Sequence, residues 1–315
     1  MNLSARRVGL PCGPWPSMMH RIRRIVAAAY RRLGRLAAAG AGGSNCRGGV
    51  EENVMGVLDG KVAIVTGAGR GIGRAIAQEY ALEGARVVVA SRTAGTVSEV
   101  VDGIRARGGD ALGITCDVGV AQNIREMVDR TVAEYGGVDI LVNNAQSFGT
   151  RDRPRASSEP TNLEDVDEAE WDWNFETGVK ATLRAMQAVF PYMKAAGGGR
   201  ILNFGSRRGI MCNPESASYN ANKEAIRALS RTASNGWGQH GITVNVLNPV
   251  ILTDAAEGVF ADHPGAREAA EAQIPLRRWG VPRDCARVAV FLAGPDGSYL
   301  TGMTFMVEGG LTTLP

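Results

Sequence analysis

The chain has 315 residues, of which 44% are hydrophobic and 21% are charged, proportions typical of a globular protein that buries a full core. It contains no run of 18 apolar residues, so the sequence predicts no membrane-spanning helix. The formal net charge of +3 is unevenly distributed, because residues 1–54 contain nine Arg, no Lys and only two Glu. The body is therefore mildly acidic, and the pI of about 8.7 does not indicate a nucleic-acid-binding face on it.

The cysteines and histidines argue against a disulfide framework or a metal site. The five cysteines are widely spaced and form no CxxC pair, and the chain has three histidines. We therefore expect reduced thiols, no bound metal and a cytoplasmic protein.

Residues 1–54 form a basic N-terminal extension, and the body, residues 55–315, begins at Met55. We expect the extension to be disordered, or to come from an upstream start that the cell does not use. A transit-type peptide fits the Arg-rich, acid-poor composition in part. A secretory signal fits less well, because Arg31, Arg32 and Arg35 interrupt the apolar stretch. Contact with nucleic acid or membrane is the remaining alternative.

From residue 61 onward, short apolar runs alternate with helical patterns. The sequence predicts strands over 62–65, 86–90, 111–115, 138–142, 200–204, 242–247 and 303–307, and helices over 73–82, 124–135, 168–195 and 218–237. Continuous apolar strands alternating with helices predict an α/β fold: one doubly wound (Rossmann) parallel sheet of about seven strands, with helices on both faces. The charged connection 147–166 is expected to be a surface insertion near the strand ends, where ligands bind in such sheets.

A glycine-rich loop, TGAGRGIG at 66–73, follows the first strand and opens the first helix. Gly67 allows a tight turn, Gly71 lets the backbone approach a pyrophosphate, and Gly73 lets helix and strand pack closely. The free N–H groups at the helix N-terminus favour a phosphate there. This context predicts a dinucleotide-binding site rather than a plain turn.

The end of the second strand bears on which dinucleotide binds. An acidic residue there would bind the adenosine ribose 2′-hydroxyl and favour NAD, but residues 91 and 92 are Ser91 and Arg92. Arg92 and Arg70 are able to pair with a 2′-phosphate. We therefore expect NADP, with NAD as the alternative if both arginines are merely solvated.

Tyr219 and Lys223 are four residues apart on a predicted helix and share one of its faces. A free tyrosine has a pKa of about 10, and a neighbouring ammonium together with a cationic nicotinamide is expected to lower it toward general acid–base work. Ser206, at the end of the fifth predicted strand, is placed to hydrogen-bond the same substrate oxygen. Together these residues predict general acid–base chemistry on a carbonyl or alcohol oxygen.

With these motifs the chain resembles the short-chain dehydrogenase/reductase (SDR) superfamily, compact single-domain type. The resemblance covers residues 56–312. It rests on TGAGRGIG (66–73), CDV (116–118), NNA (143–145), Ser206, YNANK (219–223), NPVILT (248–253) and TGMTFMVEGG (301–310).

The resemblance implies hydride transfer between a nicotinamide cofactor and a ketone or secondary alcohol. It also implies a catalytic set and a cofactor site, which are expectations here. Ser206, Tyr219 and Lys223 would be catalytic, with Lys223 also binding the nicotinamide ribose. The cofactor site would comprise Gly67, Arg70, Gly71, Ile72, Gly73, Ser91, Arg92, Asp117, Val118, Asn144, Ala145, Tyr219, Lys223, Pro249, Ile251 and Thr253.

Four positions depart from the family pattern. Gln146 and Val250 stand where the family has glycine, and Gly205 replaces the first of a serine pair. The fourth catalytic residue of the family, an asparagine on the long helix, is Gly178 here. We expect the space beside Gly178 to admit water, with Asn174, one turn earlier, either a substitute or an ordinary polar residue.

The residues expected around the substrate are Gln146, Arg207, Arg208, Met211 and Asn213. The two arginines are suited to an anionic substrate, although pairing with acids of the 151–170 segment is the favoured expectation. The predicted substrates are 3-oxoacyl thioesters, steroids or small alcohols. The alternative is a dinucleotide-binding protein with weak or no turnover. A homo-oligomer, dimer or tetramer, is also expected, with no nucleic-acid or membrane partner.

Overall fold

The computed structural model describes residues 56–155, 157–253, 257, 260 and 265–312. The predicted N-terminal extension lies outside the described residues. No helix in the described part of the chain is long and apolar enough to cross a membrane.

Seven parallel strands form one sheet, in the order β3-β2-β1-β4-β7-β8-β9. The doubly wound parallel sheet predicted from the sequence is confirmed. Its strands are β1 (Val62–Thr66), β2 (Arg86–Ser91), β3 (Asp110–Thr115), β4 (Ile140–Asn143), β7 (Gly199–Phe204), β8 (Ile242–Pro249) and β9 (Thr304–Val307). A short antiparallel pair, β5 (Phe148–Gly149) and β6 (Pro154–Arg155), lies in the predicted insertion.

Helices cover both faces of this sheet. They are α1 (Gly71–Leu82), α2 (Ala94–Arg105), α3 (Ala121–Tyr135), α4 (Glu168–Phe175), α5 (Ala181–Ala195), α6 (Arg207–Met211), α7 (Ala217–Trp237), α8 (Ala266–Gln273) and α9 (Pro282–Ala293). The sequence analysis missed α2, α6, α8 and α9. It also predicted one helix over 168–195, which is interrupted by a π-helical turn, Glu176–Lys180, between α4 and α5.

The central strands are apolar at successive positions because both faces of the sheet are buried in apolar clusters. Successive side chains of a strand point to opposite faces. Ala63 and Val65 accordingly join the apolar cluster on one face, and Ile64 joins the cluster on the other. All five residues of β1 are buried. Burying a large aliphatic side chain contributes about 1.5–3 kcal/mol, so both faces stabilise the strand that carries the glycine-rich loop.

The insertion is held down by ion pairs and by one bridge to α7. Arg155 pairs with Glu159 and Glu170, each at 2.9 Å. Thr161 bridges to Ser216, just before α7 begins. These contacts place β5 over the carboxyl ends of the strands, where the Phe148 ring lies 5.4 Å from the Tyr219 ring.

Candidate active site

A cleft of about 340 Å³ lies along the carboxyl ends of the strands and is lined by most of the predicted cofactor-binding residues. From the loop to the catalytic helix these are Gly67, Arg70, Gly71, Ile72, Ser91, Arg92, Asp117, Val118, Asn144, Ala145, Tyr219, Lys223, Pro249 and Thr253. Sequence positions up to 186 residues apart are thus brought together by the sheet order. Whether each contacts a cofactor stays a prediction.

The glycines of the loop have the geometry that the sequence analysis assigned to them. Gly67 and Gly71 have φ of +67° and +54°, in the left-handed region that favours glycine. A Cβ on Gly73 would lie 2.5 Å from the Gly67 carbonyl oxygen and 2.6 Å from Asn144 Nδ2. Gly67 and Gly71 therefore permit the tight turn, and Gly73 permits the close approach of α1 to the loop.

Asn144 ties this loop to the neighbouring strand. Its side-chain Nδ2 donates to the Thr66 carbonyl at 2.9 Å, and its backbone N–H donates to Thr66 Oγ1 at 3.1 Å. Asp117 likewise turns its own loop, because its Oδ1 accepts from the Gly119 N–H at 2.9 Å. Both residues shape the cleft that they line.

Two exposed guanidinium groups, those of Arg70 and Arg92, line the cleft together with Ser91. Among the described residues neither has a carboxylate partner within ion-pair distance. Both are consequently available to an anionic group on a ligand.

A second cavity, of about 780 Å³, adjoins the cleft and shares Ser206, Tyr219 and Phe148 with it. Apolar and aromatic side chains line much of this cavity: Phe148, Val250, Ile251, Phe260, Trp279 and Leu311. The Ser206 and Tyr219 hydroxyls at this junction are placed to contact one ligand in the cleft and a second ligand in the other cavity.

The predicted catalytic residues meet at this junction. Ser206 is the N-cap of α6, and its Oγ accepts from the Arg208 N–H at 3.1 Å. Lys223 is buried and donates from Nζ to the Phe204 carbonyl at 2.8 Å. Its Nζ lies 5.5 Å from the centroid of the Tyr219 ring.

The electrostatics of the ligand-free site differ from the expectation. Burial raises the pKa of Tyr219 above its usual value, although the Ser206 hydroxyl and the Arg208 charge oppose this rise. Burial also lowers the pKa of Lys223 to about 7. In the protein without cofactor the Tyr219 pKa responds to burial, to Ser206 and to Arg208, and Lys223 is not among these causes.

Several predicted substrate residues lie elsewhere than expected. Gln146 lines the 340 Å³ cleft, whereas Ile251, predicted to bind cofactor, lines the second cavity. Arg207, Arg208 and Asn213 do line the second cavity. Met211 is about half exposed and lines neither cavity.

The expected pairing of the two arginines with acids of the 151–170 segment is wrong for the described residues. Arg207 Nε donates to Thr312 Oγ1 at 2.7 Å and lies 3.9 Å from the buried Glu308 carboxylate. Arg208 contacts the insertion through the Ser158 hydroxyl, at 3.3 Å. The C-terminal segment, rather than the insertion, supplies the carboxylate.

The expectation of a water-sized space beside Gly178 is also wrong. A Cβ on Gly178 would lie 2.0 Å from Nδ2 and 2.4 Å from Oδ1 of Asn222. Asn174, treated as a possible substitute, is buried and accepts from both Asn222 and Gln146. The sequence analysis missed Asn222. The signal that could have revealed it was the polar Asn222 inside YNANK together with a glycine at 178, the position where the family has an asparagine.

Within the described residues, no group of three or more His, Cys, Asp or Glu side chains is arranged to hold a metal ion.

Comparison with known proteins agrees with this geometry. The family model described as "Enoyl-(Acyl carrier protein) reductase" matches residues 67–312. The 12α-hydroxysteroid dehydrogenase of a Clostridium species is 36% identical, over 83% of this chain and 100% of its own. The 3-oxoacyl-[acyl-carrier-protein] reductase FabG of Staphylococcus epidermidis is 36% identical, over 80% and 98%. A solved 7α-hydroxysteroid dehydrogenase, complexed with NADH and 7-oxo glycochenodeoxycholic acid, has a TM-score of 0.74 and 36% identity, over 80% and 94%.

Proposed function

The chain belongs to the short-chain dehydrogenase/reductase superfamily and is a nicotinamide-dependent oxidoreductase of ketones and secondary alcohols, and we propose that it uses NADP(H) on bulky, largely apolar substrates. The observation that carries the proposal is the junction of the 340 Å³ cleft and the 780 Å³ cavity at Ser206 and Tyr219. The alternative of a binding protein without turnover is not favoured, because the relatives are named as enzymes.

The cleft suits a dinucleotide in shape and charge. In the glycine-rich loop a side chain would clash at Gly67 and at Gly73. Gly67 and Gly71 also have a positive φ, which favours glycine. Lys223 reaches the same cleft, and its Nζ has hydrogens beyond the one that it donates to Phe204. These would bind the ribose hydroxyls near the nicotinamide. The bound nicotinamide supplies the hydride or accepts it.

The residues at the junction would handle the substrate oxygen and its proton. The Ser206 hydroxyl would donate a hydrogen bond to the carbonyl oxygen and orient it. The Tyr219 phenol would give a proton to that oxygen during reduction, or take it during oxidation. The raised pKa of Tyr219 keeps the phenol protonated in the free protein, the form that reduction needs.

Two features support NADP over NAD. Ser91 stands where an acidic residue would bind the 2′-hydroxyl of NAD. Arg70 and Arg92 are exposed on the same cleft, with no carboxylate partner among the described residues. Guanidinium groups bind phosphate in a bidentate fashion, so they would hold a 2′-phosphate. The solved relative, in contrast, is named with NADH.

The size and lining of the second cavity support a bulky substrate. Ligand pockets for drug-sized molecules measure about 300–1,000 Å³ and are mostly apolar. The cavity of about 780 Å³ falls in the upper part of this range and carries Phe148, Phe260 and Trp279. Ring systems of steroid size fill such a cavity, whereas small alcohols leave most of it unoccupied.

The test is steady-state oxidation of NADPH with steroid ketones, 3-oxoacyl thioesters and small ketones, repeated with Tyr219→Phe. We expect the highest kcat/KM with steroid ketones and a kcat at least about a hundredfold lower in Tyr219→Phe, the usual scale of general acid–base catalysis. NADPH affinity should change little. Equal turnover of small ketones would contradict the substrate class, and near-normal turnover by Tyr219→Phe would contradict the mechanism.

A further inference from the structure

Gly178 is glycine because a side chain from another helix occupies its position. The glycine is buried in the π turn Glu176–Lys180. Its Cβ, if present, would lie 2.0–2.6 Å from the three terminal carboxamide atoms of Asn222. No side chain fits at 178 while Asn222 keeps its place. The two residues are therefore a matched small–large pair, contributed by the π turn and by α7.

The π turn needs the carboxamide that Asn222 brings. A π turn displaces backbone groups from the regular helical hydrogen-bond pattern, and a buried N–H requires another partner. The Val179 N–H donates to Asn222 Oδ1 at 2.8 Å. Because a backbone N–H only donates, this bond fixes which end of the Asn222 carboxamide is oxygen.

The orientation of Asn222 determines the orientation of two more amides. Its Nδ2 donates to Asn174 Oδ1 at 2.9 Å, and Gln146 Nε2 donates to the same oxygen, also at 2.9 Å. Asn222 and Asn174 are almost completely buried. The chain of amides runs from Asn222 on α7, through Asn174 on α4, to Gln146, three residues after the end of β4.

Asn222 immediately precedes Lys223 on α7. We infer that Asn222 is a positioning residue, whose bonds to the π turn and to Asn174 set the depth at which α7 presents Lys223 and Tyr219 to the cleft. Gln146 and Gly178, which depart from the family pattern, and Asn222, which fills the space beside Gly178, then act together to position α7. The inference rests on the proposed function for its catalytic readout, whereas its binding readout requires only that the protein binds a nicotinamide dinucleotide.

The test is an exchange of the two residues in the full-length protein. Asn222→Ser leaves the Val179 N–H and Asn174 without their partner, and Gly178→Asn places two carboxamides in one space. The double variant Gly178→Asn/Asn222→Ser returns one carboxamide to that space from the other side. We measure NADPH affinity by fluorescence, kcat and KM on the best ketone, and Tm.

We expect each single variant to weaken NADPH binding and to lower kcat by about tenfold or more, the scale that small misplacements of reacting groups produce. The double variant should recover most of both losses. Asn222→Asp keeps the acceptor but loses the donor to Asn174, so an intermediate loss is expected. A catalytic device also predicts a change in the pH profile of kcat, which a loss of stability alone does not.

Asn245→Ser is the matched control. Asn245 is also a fully buried asparagine that accepts from a backbone N–H, of Met303, and donates to a backbone carbonyl, of Leu300. It should lower Tm without changing NADPH affinity or kcat.

Two results would overturn the inference: Asn222→Ser behaving like Asn245→Ser, or a double variant whose losses equal the product of the single losses. If the wild type binds NADH more tightly than NADPH, or turns over no ketone, the proposed function fails, and the affinity for the preferred dinucleotide still decides the role of Asn222.

Discussion

Single side chains at the two ends of the cleft account for most of the chemistry we propose. At one end the charges of Arg70 and Arg92 line the cleft beside an uncharged Ser91. At the other end Lys223 is buried, with one backbone carbonyl as its partner. Each end leads to a separate prediction. The exposed charge at the first end bears on cofactor preference, and the buried charge at the second bears on stability.

The cofactor preference is tested by Arg92→Ala. The wild type should bind NADPH more tightly than NADH, since we propose that Arg92 binds the 2′-phosphate. The substitution should remove much of that preference and leave NADH binding almost unchanged, because NADH carries no phosphate there. Dissociation constants for the two cofactors decide the matter. Tighter NADH binding by the wild type would refute the assignment.

Lys223 predicts a specific dependence of stability on pH. Its pKa falls from 10.5 to about 7 on burial, so between pH 7 and 10.5 the unfolded chain binds the proton and the folded chain does not. Stability therefore rises with pH in this window, by up to about 1.4 kcal/mol per pH unit from this group. Below pH 7 both states are protonated and the contribution becomes constant, at its least favourable value.

The measurement is the free energy of unfolding by urea at pH 7 and pH 9, for the wild type and Lys223→Met. The wild type should gain stability relative to the variant as the pH rises from 7 to 9. A difference that is independent of pH would show that the lysine keeps its ordinary pKa in the folded protein.

At the scale of elements, the site depends on places where two elements approach more closely than a side chain allows. Gly73 lets α1 meet the loop after β1, and Gly178 lets α7 meet the π turn. Gly205 is a third case, since a Cβ there would lie 2.3 Å from Asn248 Oδ1. Two of the four departures from the family pattern, Gly178 and Gly205, are thus glycines whose side-chain space is filled by an asparagine of a neighbouring element.

Gly73→Ala tests this close packing, with Gly103→Ala as its control. The new methyl at 73 would clash with the Gly67 carbonyl and with Asn144, so we expect a lower Tm and at least about tenfold weaker NADPH binding. A Cβ on Gly103, in α2, has no contact within 4 Å. Its substitution should therefore stabilise the protein by about 0.5–1 kcal/mol, without any effect on NADPH. Equal behaviour of the two variants would contradict the packing argument.

At the scale of the whole molecule, the described core and both cavities lie within residues 58–311. The first motif of the family begins at Thr66. The two apolar clusters that cover the sheet are formed by residues of this body. The body therefore has what a folded, cofactor-binding domain requires.

We accordingly expect a chain that begins at Met55 to fold, to bind NADPH and to assemble into the same dimer or tetramer as the full chain. Tm, NADPH affinity and light scattering of the two forms provide the comparison. Loss of soluble folded protein on truncation would show that residues 1–54 are required for the fold.

The sequence by itself determined the sheet, the loop glycines and the motif residues that line the cleft. It did so because these depend on local patterns: apolar runs of strand length, a glycine spacing after a strand, and Tyr219 and Lys223 four residues apart on a helix. It did not determine what fills the space beside Gly178, which carboxylate lies near Arg207, or how burial shifts the pKa values of Tyr219 and Lys223. Each of these depends on residues distant in the chain, Asn222 and Glu308 among them, and on the loss of solvent that only packing produces.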